Sequence, residues 1–221
     1  KGTYLLDPAN ITILGNFNPN DISENMALWL DASDTNTLDC GGGGGDCTDG
    51  DNLKTWQDKS GNASNLSQNI AGNRPIFESN GLNGNESIKF DASQQQSLVG
   101  GDFSGLSGAE MFFTFKANED QPTDQNNTGF MDFSTSVSRP HFPWTDGKIY
   151  DDFGSTVRNT VGDVSVPLNQ KNIYNVTSVS SEWIARMNGK EEFSTATNTV
   201  SFPNNVELGH SDSNFYYNGQ I

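Results

Sequence analysis

Residues 183–193 read Trp-Ile-Ala-Arg-Met-Asn-Gly-Lys-Glu-Glu-Phe, and this stretch decides the fold class. An Asn-Gly pair separates its two halves, and Asn188 and Gly189 tolerate the positive φ angles that a type I′ turn requires. The stretch therefore predicts a β-hairpin with two antiparallel strands. Because similar short runs recur along the chain without a 3.6-residue apolar period, we expect an all-β sandwich of antiparallel strands.

The other predicted strands are short runs bounded by clusters of Gly, Asn, Asp, Ser and Pro, the residues that favour turns. No internal repeat is visible, which argues against propellers and solenoids. Strands are predicted over residues 26–31, 53–58, 75–77, 87–90, 96–99, 110–117, 129–133, 148–153, 171–179, 206–208 and 215–221. The spacing of these strands is typical of a single β-domain.

Length and charge narrow the classes of protein. The chain has 221 residues, of which 33% are hydrophobic and 18% charged, enough for one large β-domain. We expect an N-terminal arm or linker over residues 1–25 and the main domain over residues 26–221. A formal net charge of −16 repels nucleic acid and anionic membranes. Since no apolar run approaches the roughly 20 residues of a membrane helix, membrane insertion is not expected either.

An ordered set of short motifs runs through the chain from Met26 onward. The first are ALWLDA at residues 27–32, WQDKSGN at residues 56–62 and RP at residues 74–75. The later ones lie at residues 88–91, 97–98, 111–115, 183–193, 206–209 and 215–221. In this order they resemble laminin-G-like domains of the concanavalin A-like lectin/glucanase superfamily. The resemblance implies a jelly roll of two antiparallel sheets, and it is poorly specific for function because one fold hosts many activities.

Two further points follow from the resemblance. The segment HFPWTDGKIYDDFG at residues 141–154 is similar to segments of laminin-G-like modules in bacterial surface adhesins and in viral or phage structural proteins. This similarity implies an extracellular, cell-surface or virion protein. Domains of this family usually continue past the final Asn-Gly-Gln-Ile strand with another strand. Either the last strand is missing here, or a neighbouring subunit covers an exposed sheet edge.

The two cysteines, Cys40 and Cys47, flank a Gly-Gly-Gly-Gly-Gly-Asp insert that can fold back on itself without steric cost. The spacing predicts a disulfide that staples a loop. Such a disulfide implies an oxidising compartment, whereas two free thiols in a reduced protein are the alternative.

Four aspartates lie in and beside the cysteine loop, at Asp39, Asp46, Asp49 and Asp51. Four clustered carboxylates repel one another without a cation, and carboxylate and carbonyl oxygens are the ligands that calcium prefers. The cluster is therefore a candidate calcium site. A solvated acidic loop is the alternative.

The loop over residues 139–152 is the candidate ligand-binding site. Binding a sugar requires an aromatic face for the apolar side of the ring, and Trp144 offers one. His141, Asp146, Tyr150 and Asp152 offer polar partners for hydroxyl groups in the same short stretch. The alternative is that Trp144 and Phe142 plug the end of the sandwich and that residues 146–147 serve only as a turn.

Catalysis is not expected. Glycoside hydrolases need a pair of carboxylates that face one cleft, and alternate positions of one strand provide such a pair. Asp151 and Asp152 are adjacent and should therefore face opposite sides of a strand, and His141 and His210, the two histidines, are more typical of structural roles. The leading interpretation is a glycan-binding or adhesive module. A structural assembly domain comes second, and a glycoside hydrolase or polysaccharide lyase comes last.

Overall fold

A computed structural model describes residues 26–133, 135, 139–212 and 214–221 of the chain. Within this part the strands pair in antiparallel fashion, and the helices are short 3₁₀ turns at Thr35–Thr37, Ala71–Asn73, Ala92–Gln94 and Gln125–Asn127. Among the described residues no helix has the length and apolar character needed to cross a membrane. The strands are β1 (Leu38–Asp39), β2 (Thr55–Trp56), β3 (Leu66–Ser67), β4 (Ile76–Leu82), β5 (Asn85–Phe90), β6 (Leu98–Gly100), β7 (Gly108–Ala117), β8 (Met131–Asp132), β9 (Ile149–Asp151), β10 (Asn159–Gly162), β11 (Asn172–Val179), β12 (Glu182–Met187), β13 (Lys190–Thr195), β14 (Val206–Leu208) and β15 (Gly219–Gln220).

Two large sheets form a sandwich. The six-stranded sheet has the order β1-β2-β3-β6-β14-β8, and the seven-stranded sheet has the order β13-β12-β11-β7-β15-β5-β4. A separate two-stranded ribbon joins β9 to β10. The predicted fold class, an all-β antiparallel two-sheet sandwich, is confirmed.

The core lies between the two sheets and is rich in aromatic rings. One buried cluster combines side chains of the six-stranded sheet, such as Leu66 and Val206, with side chains of the seven-stranded sheet, such as Phe115 and Trp183. Phe130 lies at its centre and is fully buried. Because side chains alternate along each strand, one face of each sheet supplies this core.

The hairpin at residues 182–195 matches its prediction. β12 and β13 pair antiparallel, with Met187 opposite Lys190. Asn188 and Gly189 connect them with φ angles of 52° and 82°. Both angles lie in the left-handed region that a type I′ turn requires, so this turn sets the register of the pair.

The predicted strand at residues 26–31 is wrong, because this segment forms no ladder with another strand. The Trp29 amide donates instead to the Asp58 carboxylate at 2.9 Å, and its carbonyl accepts from the Lys59 amide at 2.9 Å. The Lys59 ammonium lies 4.4 Å from the centre of the Trp29 ring. Trp29 is therefore half-buried beneath a cation, whereas Trp56 lies in the buried core.

The expected exposed edge at the last strand is also corrected. β15 lies inside the seven-stranded sheet and pairs with both β5 and β7. The backbone of Ile221 continues the pairing through two hydrogen bonds to Ile88. The segment is paired on both sides because it fills the gap between β5 and β7. The edges of this sheet are β13 and β4, and the charged residues of β13 disfavour pairing with another chain.

The disulfide between Cys40 and Cys47 is confirmed, with the two Cα atoms 5.3 Å apart. It closes a loop that precedes β2, and Cys47 packs into the core. The bond therefore fixes the glycine insert against the six-stranded sheet.

Replacing both Cys40 and Cys47 with Ser is expected to lower the free energy of unfolding by about 2–3 kcal/mol, because a short cross-linked loop restricts the unfolded chain by that amount. Urea denaturation of the double variant measures the loss. The wild-type protein in reductant serves as the control and should lose a similar amount. Equal stability of the variant and the oxidised wild type would contradict the expectation.

Candidate functional site

The candidate ligand loop forms a hairpin at one end of the sandwich. The backbones of His141 and Tyr150 exchange two hydrogen bonds of 2.8 and 3.1 Å. The turn closes where the Trp144 amide donates to the Lys148 carbonyl at 2.9 Å, with Gly147 at a φ of 81°. Residues 146–147 therefore do form a turn, and Trp144 is held at the start of that turn by two backbone bonds.

Four aromatic rings meet on this hairpin. His141 is the central ring, and its centroid lies 4.2 Å from that of Trp144, 5.1 Å from that of Phe215 and 6.2 Å from that of Tyr150. Trp144 and Phe215 are also in contact, at 5.6 Å between centroids. We call these four rings the aromatic platform. Within it His141 is buried, whereas the other three rings are half-buried and present part of their surface to solvent.

His141 supports the platform as a neutral ring. Its Nδ1 lies 3.0 Å from the Thr128 hydroxyl, which itself donates to the Gln125 carbonyl at 2.6 Å. The hydroxyl has a single proton, so we assign the proton between the two side chains to Nδ1 of His141. Burial, together with the charge of Arg158, lowers the pKa of His141 to about 4. The imidazole is therefore uncharged at neutral pH.

Polar groups surround the platform. The Tyr150 hydroxyl donates to the Asp146 carboxylate at 2.8 Å, and this bond raises the pKa of Tyr150 above its ordinary value. An open depression of about 520 Å³ is lined by Thr123, Asp124 and Gln125 and by Thr145, the residue that follows Trp144. Hydroxyl, amide and carboxylate groups of this kind can bind sugar hydroxyls, while the platform offers an apolar face.

Two arginines at the platform were missed by the sequence analysis. Arg139 donates to the Asp212 carboxylate at 2.7 Å, and its guanidinium lies 5.3 Å from the Phe215 ring centre. Arg158 donates to the Arg139 carbonyl at 3.0 Å and lies 5.0 Å from the Tyr150 ring centre. Arg139 falls inside the loop that the sequence singled out. Arg158 and Phe215 come from distant segments, and no local signal marks them.

The prediction that Asp152 binds a ligand is corrected, because its side chain is completely buried. Its neighbour Asp151, the last residue of β9, is buried as well. The Asp151 carboxylate accepts from the Tyr174 hydroxyl at 2.8 Å and from the Phe153 amide at 3.0 Å. Burial, with the nearby charge of Asp152, raises the pKa of Asp151 to about 7.

The four aspartates of the candidate calcium site each accept hydrogen bonds from backbone amides. Asp46 accepts from the amides of Cys40 and Gly42, and Asp39 accepts from the amides of Gly41 and Gly43. Asp49 binds Ser79 and Asp51 binds Thr48 in the same manner. Within the described part of the chain, the one tight group of metal-binding residue types is Cys40, Asp46 and Cys47. The disulfide occupies both sulfur atoms of that group, and calcium at this loop stays a prediction.

Comparison with solved structures finds proteins of similar fold. The chain is similar to domain 4 of AbnA, a GH43 extracellular arabinanase from Geobacillus stearothermophilus, in complex with arabinotriose, with a TM-score of 0.53 and 13% identity over 78% of this chain and 90% of that chain. It is similar to the receptor binding domain of botulinum neurotoxin type G, with a TM-score of 0.52 and 12% identity over 83% of this chain and 44% of that chain. It is also similar to Trypanosoma rangeli sialidase in complex with the inhibitor DANA, with a TM-score of 0.50 and 9% identity over 91% of this chain and 33% of that chain.

A comparison with protein-family models and with curated proteins finds no match. At 9–13% identity the three solved structures establish a shared β-sandwich fold and no more. This chain spans less than half of the toxin domain and of the sialidase. The narrower laminin-G-like assignment stays a prediction.

Proposed function

We propose that this chain is a carbohydrate-binding module that holds a sugar ring on the aromatic platform. The observation that carries the proposal is the half-buried Trp144, fixed by backbone bonds beside a polar depression. An apolar ring face next to convergent polar groups is the arrangement that binds a pyranose or furanose. Because His141 packs beneath Trp144 at 4.2 Å, little ordering of the site is needed when a ligand binds.

Three findings support an extracellular glycan-binding role. The disulfide is typical of an oxidising compartment. One protein with a similar fold is a domain of an extracellular arabinanase in complex with arabinotriose, and another is a toxin receptor binding domain. The acidic surface disfavours nucleic acid and anionic membranes as partners. An adhesive role on a cell surface or virion is a finer proposal within the same class.

The proposed role is binding without cleavage. Hydrolysis needs two carboxylates on either side of a scissile bond, about 5–10 Å apart in an accessible cleft. The adjacent carboxylates Asp151 and Asp152 are both enclosed in the core. At the platform the carboxylates of Asp146 and Asp212 are bound to Tyr150 and Arg139, respectively. These contacts suit orientation of side chains around a ligand.

A glycan-array screen of the purified chain tests the proposal. We expect saturable binding to at least one class of oligosaccharide. Running the screen with calcium and again with a chelator tests the calcium prediction, because a structural or bridging ion makes binding depend on calcium. A folded sample that binds no glycan in either condition would contradict the proposed function.

Replacing Trp144 with Ala is expected to weaken binding to the best array glycan roughly tenfold or more, because the central aromatic contact of a site carries a large share of the binding energy. Isothermal titration calorimetry measures the change. Phe112→Ala is the matched control, since Phe112 is an exposed aromatic residue, 56% accessible, on the outer face of β7. Equal losses in the two variants would contradict a site at the platform.

An assembly domain is the second candidate function, and the exposure of Phe112 favours it. Phe112 is a single exposed apolar side chain and not an extended patch, so it would supply one contact point to such an interface. Sedimentation velocity distinguishes the two candidates. Self-association that is lost in the Phe112→Ala variant, without any glycan binding, would favour assembly.

A further inference from the structure

Two arginines pack on the aromatic platform of a strongly acidic chain. The chain has 12 basic residues against 28 acidic ones, yet Arg139 lies over the Phe215 ring and Arg158 over the Tyr150 ring. A hydrogen bond from Arg158 to the Arg139 carbonyl ties them together. Both positive charges also help to hold His141 in its neutral form. Two positive charges therefore lie at the platform, beside the carboxylates of Asp146 and Asp212.

The two arginines differ in their partners. Arg139 pairs with Asp212, and among the described residues this is the one hydrogen bond that its guanidinium donates. Arg158 is exposed, and within the described part of the chain no carboxylate lies within 4.0 Å of its guanidinium. Since a guanidinium carries five N–H donors, each arginine can donate further hydrogen bonds to a ligand.

Resting on the proposed function, we propose that the sugar bound at the platform carries a carboxylate, as in a uronic acid, and that Arg139 and Arg158 bind this group. A planar carboxylate matches the two parallel N–H donors of a guanidinium, and such charge-assisted bonds are stronger than neutral ones. The sugar ring lies against Trp144 in this arrangement, with its carboxylate directed toward the two arginines.

The geometry holds both guanidinium groups in place before the ligand arrives. Arg158 is fixed between the Tyr150 ring and the Arg139 carbonyl, and Arg139 is fixed between the Phe215 ring and Asp212. A side chain that is already ordered loses less entropy on binding. Asp212 bonds through one nitrogen of Arg139 and leaves the other N–H donors of that guanidinium for a ligand, whereas the Asp146 carboxylate is bound to the Tyr150 hydroxyl.

The main comparison of the test is between two polymers that have the same sugar ring and differ in charge. Polygalacturonate oligosaccharides are titrated against the whole chain beside their methyl esters, which keep the same ring and lose the carboxylate charge. Neutral arabinan and dextran oligosaccharides and dextran sulfate complete the panel. Because the net charge of −16 repels polyanions at long range, non-specific adsorption of an acidic polymer is disfavoured.

We expect binding to polygalacturonate at least tenfold tighter than binding to its methyl ester. Arg158→Gln and Arg139→Gln should each reduce this preference about tenfold, since a charge-assisted hydrogen bond is lost. Arg158→Lys should keep part of the preference for polygalacturonate, because lysine keeps the positive charge but lacks the parallel N–H donors of a guanidinium. Arg74→Gln is the matched control, since Arg74 donates to the Gln68 carbonyl far from the platform along the chain.

Three outcomes would overturn the inference, and they differ in what they leave standing. Equal binding of polygalacturonate and its ester would overturn the carboxylate assignment and leave the proposed function intact. Tighter binding of dextran sulfate than of polygalacturonate would replace the carboxylate with a sulfate ester. Absence of binding to every saccharide of the panel and of the glycan array would remove both the inference and the proposed function.

Discussion

Replacing Phe130 with Ala is expected to lower the free energy of unfolding by about 3–5 kcal/mol, the largest loss predicted for this chain. Phe130 is fully buried, and its ring lies 4.7 Å from that of Phe113, 4.8 Å from that of Phe142 and 4.7 Å from that of Tyr217. These neighbours belong to separate segments and cannot all close the cavity that the truncation leaves. Urea denaturation at neutral pH measures the loss.

Phe112→Ala is the control for the same chemical change on an exposed side chain. The side chains of Phe112 and Phe113 point to opposite faces of β7, and Phe112 is the one that faces solvent. We expect Phe112→Ala to change the unfolding free energy by about 0.5 kcal/mol or less. A loss in Phe130→Ala no larger than in this control would contradict the aromatic core. Phe142 follows His141 in the platform hairpin, and partial loss of glycan binding in Phe130→Ala would show that the core positions that hairpin.

The buried Asp151 is expected to make the protein less stable as pH rises from about 4 through about 7. Burial raises the pKa of Asp151 to about 7, against an ordinary value of 3.8. The native state therefore keeps a proton that the unfolded state has already lost. The corresponding stabilisation is fully present below pH 4 and disappears as pH rises through 7. The full difference amounts to about 4 kcal/mol.

Asp151→Asn removes this titration, so the difference in stability between the variant and the wild type should shift in favour of the variant as pH rises from 4 to 8. Urea midpoints at several pH values measure that difference. Asp163→Asn, a change at an exposed aspartate, is the control and should leave the pH profile of the wild type unaltered. A profile for Asp151→Asn that runs parallel to the wild type would contradict a buried, protonated Asp151.

Turn chemistry made parts of the fold predictable. Asn188 and Gly189 demand a tight turn whatever surrounds them, so the β12–β13 hairpin could be predicted without tertiary information. Short strands flanked by turn residues, such as Val206–Leu208, were likewise predicted at the observed bounds. β3 and β10 were not, since a two-residue strand and an Asn-Thr-Val-Gly segment carry almost no alternation.

The segment at residues 26–31 shows why an apolar run is insufficient. A strand requires a partner strand whose backbone is free to pair. No local feature of Ala27 or Leu30 indicates whether such a partner exists. Here the Trp29 amide donates to the Asp58 carboxylate and not to the backbone of a neighbouring strand. The same limit applies to β15, whose position between β5 and β7 depends on contacts with residues far away in the chain.

The residues of the candidate site also differ in whether the local sequence could indicate them. His141, Trp144, Asp146 and Tyr150 lie within ten positions of one another, so a single hairpin brings them together and the sequence could indicate them. Phe215 and Arg158 arrive through tertiary packing, which a local pattern does not encode. Asp152 failed as a surface residue because burial depends on what packs over the strand end.

The central claim is that a sugar binds on the aromatic platform, and an NMR titration of the ¹⁵N-labelled chain with the best array glycan tests it most directly. We expect the largest chemical-shift changes at the Trp144 indole N–H and at the amides of residues 141–142, 144–150 and 214–216. Signals of the outer face of β7 around Phe112 should stay unchanged. Shift changes centred on that face, or none at the platform at saturating glycan, would contradict the account.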